Sequence, residues 1–151
     1  MDVTVIAVAS DHGGFEQKQR ICAWLAEQGY IVDDRGSDDA GESVDYPDYA
    51  RSVSEEVAGG RAHAGVLVCG TGIGMSIAAN KIDGIRAANV TSPDFAVLAR
   101  EHNDANVIAL SGRFVDFETN LSILEKFLKT PFAGGRHARR VEKIMSIERE
   151  R

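Results

Sequence analysis

A cysteine lies where an apolar run of the sequence passes into a run of glycines. Residues 65–74 read GVLVCGTGIG, so Cys69 would stand at the carboxyl end of a strand and directly before a helix. Backbone N–H groups and the positive end of a helix dipole favour the thiolate form of such a cysteine. The same N–H groups can bind an anion. One segment therefore supplies a candidate base or nucleophile together with an oxyanion site, which indicates an enzyme.

The glycine-rich stretch also has plainer interpretations. It fails the dinucleotide-binding fingerprint because Met75 stands where the last glycine is needed, and no Lys-Ser/Thr pair follows as in a Walker loop. The structural alternative is a tight strand-to-helix turn beside an inert, buried Cys69. The second cysteine, Cys22, falls on the apolar stripe of a helix, where packing in the core is favoured over reactivity.

Asp11 and His12 follow the first apolar run and precede two glycines. Asp11 could accept the hydroxyl groups of a sugar, and His12 could donate a hydrogen bond to a ring oxygen or an anion. The structural alternative is a helix cap formed by Ser10 or Asp11. The position of His12 beside a double glycine at a strand end favours a functional role.

His102 lies at the end of a helix, where it continues a stripe that contains Phe95, Leu98 and Ala99. A histidine that titrates near pH 7 can shuttle protons to a sugar ring oxygen. A histidine satisfied within the core is an equally good interpretation of the same spacing. His63 has no such context, and we expect it at the surface.

Arginines cluster late in the sequence. Arg113 follows the fifth apolar run, and Arg136 and Arg140 are four residues apart and share a helix face. Two guanidinium groups on one face match a phosphate. A solvated basic face is the alternative, but in an acidic chain we favour phosphate binding by this pair.

Composition limits the partners and the class of protein. The chain has 151 residues and a net charge of −6, which argues against nonspecific binding to nucleic acid or to an anionic membrane. No apolar run approaches the ~20 residues that span a bilayer. Two cysteines without zinc-ligand spacing make a disulfide framework or a metal site improbable, so we expect a cytoplasmic protein without a metal or other cofactor.

Short apolar runs alternate with helical patterns along the whole chain. The five predicted strands are Val3–Ala9, Tyr30–Val32, Val66–Cys69, Ile85–Val90 and Val107–Leu110. Each is followed by a helix, and a last helix is expected at about residues 136–149. This order predicts one α/β domain over residues 1–151, a Rossmann-like three-layer α/β/α fold with a five-stranded parallel sheet. Ligands of such sheets bind beyond the carboxyl ends of the strands, here after residues 9, 69, 90 and 110.

Seven segments together resemble the type B ribose-5-phosphate isomerases and the galactose-6-phosphate isomerase subunits, over nearly the whole chain. The segments are SDHGG at 10–14, DYPDYA at 45–50, CGTGIG at 69–74, AANK at 78–81, GIRA at 84–87, HNDANV at 102–107 and GGRH at 134–137. Each is modest alone, but their order and spacing are highly specific. One branch of this family uses a carboxylate one turn after the cysteine position. Met75 stands there and Cys69 is present, so the chain resembles the thiol branch.

The resemblance implies metal-free aldose–ketose isomerisation of a sugar phosphate through an enediolate. Cys69 would move the proton from C2 to C1, Thr71 would steady it, and His102 would open the sugar ring. The N–H groups that would hold the oxyanion belong to Gly70, Gly72, Ile73 and Gly74. Asp11, Tyr46 and Asn103 would contact the sugar. The phosphate would be held by His12, Arg113, Arg136 and Arg140.

The resemblance also implies a homodimer or homotetramer whose active sites combine residues of two chains. Ribose 5-phosphate is the expected substrate, with galactose 6-, allose 6- or erythrulose 4-phosphate as alternatives. A noncatalytic module for a phosphate or nucleotide is a second class, and it would need neither Cys69 nor His102. A thiol hydrolase is disfavoured because no motif supplies a dedicated histidine base with an acyl-transfer signature.

Overall fold

The computed structural model describes residues 4–39 and 41–151. Within them, five strands alternate with six α-helices. The strands are β1 Val5–Ser10, β2 Ile31–Asp34, β3 Ala64–Cys69, β4 Ala87–Asn89 and β5 Val107–Ser111. The helices are α1 Phe15–Glu27, α2 Tyr46–Ala58, α3 Ile73–Ala79, α4 Pro93–Asn103, α5 Phe117–Lys129 and α6 Arg136–Arg149. A 3₁₀ turn, His12–Gly14, joins β1 to α1.

The strands form one parallel sheet in the order β2-β1-β3-β5-β4. Ser10 pairs with Val68, and Cys69 pairs with Ser111, so the carboxyl ends of the three central strands lie side by side. Among the described residues, no helix is both long and apolar enough to cross a membrane. The predicted α/β class with a five-stranded parallel sheet is confirmed.

Both faces of the sheet are buried under helices. Ile6 and Val8 of β1 pack into the cluster that includes residues of α1, α4 and α5, whereas Ala7 and Ala9 face the cluster under α2 and α3. Alternate side chains of a strand point to opposite faces, so a strand covered on both sides must be apolar throughout. This explains the continuous apolar run that predicted β1.

The predicted boundaries differ from the structure at several strands. β1 begins at Val5, and the predicted start at Val3 lies outside the described residues. β4 covers only Ala87–Asn89, less than the predicted Ile85–Val90, because it is an edge strand paired on one side. The helix after β3 ends at Ala79, because Asn80 turns back to bind the backbone of Ala87.

The predicted inward stripe of α4 is confirmed at Ala99 and is wrong at its other residues. Ala96 and Ala99 are its buried residues, whereas Phe95 is 61% exposed and Leu98 is 38% exposed. His102 is also exposed, so the interpretation as a core histidine fails. Apolar residues cover two faces of this helix, and periodicity alone does not indicate which face meets the sheet.

The apolar stripe that the spacing of Phe15, Cys22, Leu25 and Ala26 predicts for α1 is partly wrong. Ala26 is exposed, and the buried residues of the helix are Lys18, Ile21 and Leu25. Lys18 is 1% exposed because its ammonium group binds both carboxylate oxygens of Asp34, at 2.7 and 2.9 Å. A lysine is almost never placed inward from sequence, since only a partner elsewhere in the chain makes its burial tolerable.

Candidate active site

Cys69 ends β3 with its side chain 5% exposed. The backbone N–H of Gly72 donates a hydrogen bond to Cys69 Sγ at 3.1 Å. Gly72 has a φ of 83°, a left-handed conformation that glycine adopts without strain. Thr71 Oγ1 accepts the N–H of Ile73 at 3.1 Å, which shapes the turn into α3. The sulfur therefore faces a polarised N–H at the start of a helix.

Residues 70–74, hereafter the glycine loop, are held against the end of β5. Ser111 Oγ donates to the carbonyl of Gly70 at 2.7 Å, and the N–H of Gly112 donates to the carbonyl of Cys69 at 2.8 Å. On its other side the loop meets Tyr46, whose ring carbons would lie 2.6 Å from a Cβ built on Gly74. Gly74 therefore lets the Tyr46 ring pack directly against the loop.

Asp11 and His12 lie beside the glycine loop, at the carboxyl end of β1. Asp11 is buried, its N–H donates to the carbonyl of Val68 at 3.2 Å, and its Oδ1 accepts the N–H of Gly14 at 3.1 Å. The capping role offered as the structural alternative is thus real for Asp11. His12 Nδ1 accepts the N–H of Val44 at 3.4 Å, so a neutral His12 would carry its proton on Nε2.

A cavity of about 300 Å³ opens next to these residues and is lined by His12 and Arg113. The guanidinium group of Arg113 lies over Gly13, where an added Cβ would be 3.2 Å from its Nε. The N–H of Arg113 donates to the carbonyl of Gly70 at 3.1 Å, which joins this cavity to the glycine loop. An imidazole and a guanidinium group at one cavity suit an anionic ligand.

The remaining candidates lie at the opposite end of the sheet, by the amino ends of its strands. His102 and Asn103 end α4, just before β5 begins, and Arg136 and Arg140 occupy the first turns of α6. Asn103 lines a cavity of about 420 Å³ beside α6. β3 has six residues, and at about 3.3 Å per residue its two ends lie roughly 17 Å apart. One chain therefore carries two separate groups of candidate residues, hereafter the Cys69 half and the His102 half.

His137 belongs to the His102 half and was not singled out from the sequence. Its ring stacks on that of His102 with centroids 4.3 Å apart and an interplanar angle of 14°. Desolvation lowers the pKa of His137, and neighbouring positive charges on α4 and α6 lower it further. These charges belong to His102, Arg136 and Arg140. The sequence feature that could have indicated a role for His137 is its position in the GGRH segment, next to Arg136 and three residues before Arg140.

Cys22 differs from Cys69 in its surroundings. It is half-buried and packs against the core under α1. Burial, with the Asp34 carboxylate adding to it, raises the pKa of the Cys22 thiol to about 11. In the described part of the chain, no three His, Cys, Asp or Glu side chains group closely enough to hold a metal ion.

Known proteins resemble this chain closely. Residues 6–144 match the family model described as Ribose/Galactose Isomerase. Ribose-5-phosphate isomerase B of Escherichia coli is 47% identical over 146 residues, covering 97% of each chain. A structure of Clostridium thermocellum ribose-5-phosphate isomerase B superposes with a TM-score of 0.95 at 48% identity, covering 97% of this chain and 99% of that one.

One solved relative carries a ligand. Ribose-5-phosphate isomerase B of Mycoplasma genitalium with bound ribulose 5-phosphate has a TM-score of 0.95 to this chain. The two are 43% identical, and the match covers 98% of each.

Proposed function

The chain belongs to the ribose/galactose isomerase family, and from this membership we propose that it interconverts ribose 5-phosphate and ribulose 5-phosphate. The observation that carries the proposal is the sulfur of Cys69, held at a strand end with an N–H of the glycine loop pointing at it. Near-full-length relatives named ribose-5-phosphate isomerase B support the choice of substrate. So does the relative that binds ribulose 5-phosphate.

Cys69 is the proposed carbon base. Its thiolate removes the proton from C2 of the open-chain aldose, and the electron pair moves through the carbonyl to give an enediolate. The hydroxyl proton on the C2 oxygen passes to the C1 oxygen, and the thiol then returns its proton to C1, which yields the ketose and regenerates the thiolate. No bond forms between sulfur and carbon in this scheme, so no covalent intermediate accumulates.

The glycine loop would stabilise the enediolate oxygen. A proton on the carbon next to a carbonyl is only weakly acidic. Fixed N–H dipoles that stabilise the developing negative charge therefore lower the barrier more than the strength of the base does. Loss of one such donor typically costs about 10²–10³ in turnover. Of the four expected donors, Gly70 and Gly74 are proposed to hold this oxygen, because the N–H groups of Gly72 and Ile73 already donate to Cys69 Sγ and Thr71 Oγ1. Thr71, whose Oγ1 accepts the Ile73 N–H, would steady Cys69 with its hydroxyl.

The sugar must first open, because the furanose ring has no free carbonyl. His102 would act as general acid and base by giving a proton to the ring oxygen while the anomeric hydroxyl loses one. Asp11 would accept ring hydroxyls. Tyr46 and Asn103 would contact the open chain.

The phosphate would be held jointly by the two half-sites. His12 and Arg113 lie in the Cys69 half, whereas Arg136 and Arg140 lie in the His102 half. Because these halves lie at opposite ends of the strands of one sheet, a complete site requires the His102 half of a second copy. We therefore propose a homodimer, alone or within a tetramer, with active sites shared between chains.

Exposed apolar side chains around the edge strand β4 suit such an interface. Ile73 and Ile77 of α3 are 53% and 59% exposed, and Phe95 and Leu98 lie exposed on α4. An unpaired edge strand flanked by apolar residues is typical of a surface that another chain covers. The interface would also exclude water from the half-sites it joins.

Purified protein assayed against ribose 5-, allose 6-, galactose 6- and erythrulose 4-phosphate tests the substrate. We expect the highest kcat/KM with ribose 5-phosphate, and a higher value with a hexose phosphate would contradict the choice of pentose. The proposed mechanism requires Cys69 to remain a reduced thiol, which fits a cytoplasmic location for the protein.

Cys69→Ala tests the base itself. We expect turnover to fall by orders of magnitude while ribulose 5-phosphate still binds, since the phosphate contacts are elsewhere. A noncatalytic binding module would show no turnover even in the wild type. Near-wild-type kcat in Cys69→Ala would remove Cys69 from the mechanism.

A further inference from the structure

Asn89, the last residue of β4, reaches across the end of β5 to the glycine loop. Its Nδ2 donates to the carbonyl oxygen of Ala109 at 3.1 Å and to that of Thr71 at 3.3 Å. Ala109 is its partner in the β4–β5 register, so this carbonyl is fixed within the sheet. A primary amide has two N–H donors, and both are used here. Asn89 therefore ties the glycine loop to the sheet.

The carbonyl that Asn89 holds belongs to the peptide unit whose N–H faces Cys69. Thr71 supplies the C=O of this unit, and Gly72 supplies the N–H that lies 3.1 Å from Cys69 Sγ. A peptide unit is planar and trans, so its C=O and N–H point in opposite directions. Holding the carbonyl on one side therefore fixes the direction of the N–H on the other.

Gly72 makes such a tether necessary. Glycine adopts positive and negative φ values with similar ease, so the peptide before it can rotate at little cost. The Asn89 amide lies against Gly72 itself, since a Cβ built there would be 2.4 Å from Asn89 Nδ2. The tether acts at the point of the loop where the backbone has most freedom.

We propose that Asn89 is a positioning residue that keeps the Gly72 N–H on the sulfur of Cys69. It acts through the Thr71–Gly72 peptide and does not itself touch the reacting atoms. This inference rests on the proposed role of Cys69 as the base. The tether prepares the thiolate before substrate arrives, so its effect belongs to the chemical step and not to phosphate binding.

Asn89→Ala and Asn89→Asp test the proposal. Alanine removes both donors, and aspartate of the same size turns an acceptor toward two carbonyl oxygens. With ribose 5-phosphate, we expect kcat to fall at least about tenfold in both variants, because a donor to the reacting group is no longer held in place. We expect KM to change by less than about twofold, since the groups proposed to hold the phosphate lie on other elements.

The second readout is the pH profile of Cys69 alkylation by iodoacetamide, measured without substrate. Loss of the N–H donor destabilises the thiolate, so the rise in rate should move to higher pH in both variants. This readout separates two failures. Absence of isomerisation by the wild type would contradict the proposed function, whereas an unchanged alkylation profile in the Asn89 variants would contradict the tether.

Asn80→Ala is the matched control. Asn80 also clamps β4 by two hydrogen bonds, to the N–H and C=O of Ala87 at 2.7 and 2.9 Å, but at the far end of the strand. We expect its kcat and its Cys69 alkylation profile to stay near wild type even where the melting temperature falls. Equal losses in Asn80→Ala, or a fall in kcat of the Asn89 variants without a shifted profile, would overturn the inference.

Discussion

His102 and Cys69 are proposed to act on different atoms of the substrate, and this separates their effects. Ring opening needs a proton at the ring oxygen, whereas isomerisation needs one removed from C2. We expect His102→Asn to lower kcat/KM strongly with ribose 5-phosphate, by about 10²–10⁴ as for a general acid–base. The same variant should turn over erythrose 4-phosphate nearly as the wild type does, because its phosphorylated O4 cannot close a ring.

The measurement is kcat/KM for both sugars with wild type and variant, in parallel. His63→Asn is a suitable control, since His63 is exposed and its Nδ1 only accepts the N–H of Val5. If His102→Asn loses activity equally with both sugars, His102 does not serve ring opening.

The two cysteines are expected to react in the opposite order to their exposure. Cys69 is 5% exposed and Cys22 is more exposed, but the pKa of Cys22 is raised to about 11. Only the thiolate is nucleophilic, so at pH 7–9 Cys22 stays in its unreactive form. Peptide mass spectrometry after brief iodoacetamide treatment should find Cys69 modified first, with loss of activity in proportion. Faster modification of Cys22 would show that access, and not the local electrostatics, governs reactivity.

The ion pair between α1 and β2, in which Lys18 is buried and the Asp34 side chain is 40% exposed, stabilises the loop beside the Cys69 half. Asp34 binds the ammonium group of Lys18 and also accepts the N–H of Gly36 at 3.0 Å, and the Gly36 carbonyl accepts the N–H of Ser10 at 2.8 Å. This chain of contacts ends next to Asp11. An unpaired ammonium in the core costs more than an apolar chain of similar length.

Asp34→Ala should therefore destabilise the protein more than Lys18→Met does. Asp34→Ala leaves the buried Lys18 ammonium unpaired, whereas Lys18→Met removes the charge itself. We expect a loss of at most about 3 kcal/mol in the free energy of unfolding for Asp34→Ala, because the Asp34 side of the pair is open to water, and a smaller loss for Lys18→Met. Urea unfolding of both variants at one protomer concentration measures this. A loss for Lys18→Met as large as that for Asp34→Ala would mean that the pair itself, and not the stranded charge, carries the stability.

Sequence periodicity predicted the elements better than their orientation. The apolar run of β1 predicted that strand correctly. The Ser92-Pro93 pair at the start of α4 is an equally local signal, since Ser92 Oγ accepts the N–H of Phe95. Local chemistry determines such features, so they are visible in a short window. The exposure of Phe95 could not be predicted from a short window, because it depends on which of the two apolar faces of α4 packs against the sheet.

Contacts between residues that lie far apart in the sequence could not be predicted either. Asn89 carried no signal, since its role depends on Ala109 and on the glycine loop, which lie apart from it in the sequence. His137 lies in the GGRH segment at 134–137, but only the fold shows that its ring stacks on that of His102. The motifs indicated the candidate side chains, whereas only the topology shows that they are divided between the two ends of the strands.

At the scale of the whole molecule, Cys69 of one chain is proposed to work with His102 of another. The direct test joins two inactive variants, Cys69→Ala and His102→Asn, in one assembly by co-expression with different affinity tags. In a mixed dimer, one site would contain both intact residues and the other neither. We therefore predict that the doubly purified heterodimer recovers about half of the wild-type kcat per dimer with ribose 5-phosphate. Activity no higher than that of the two parent variants would contradict the shared site.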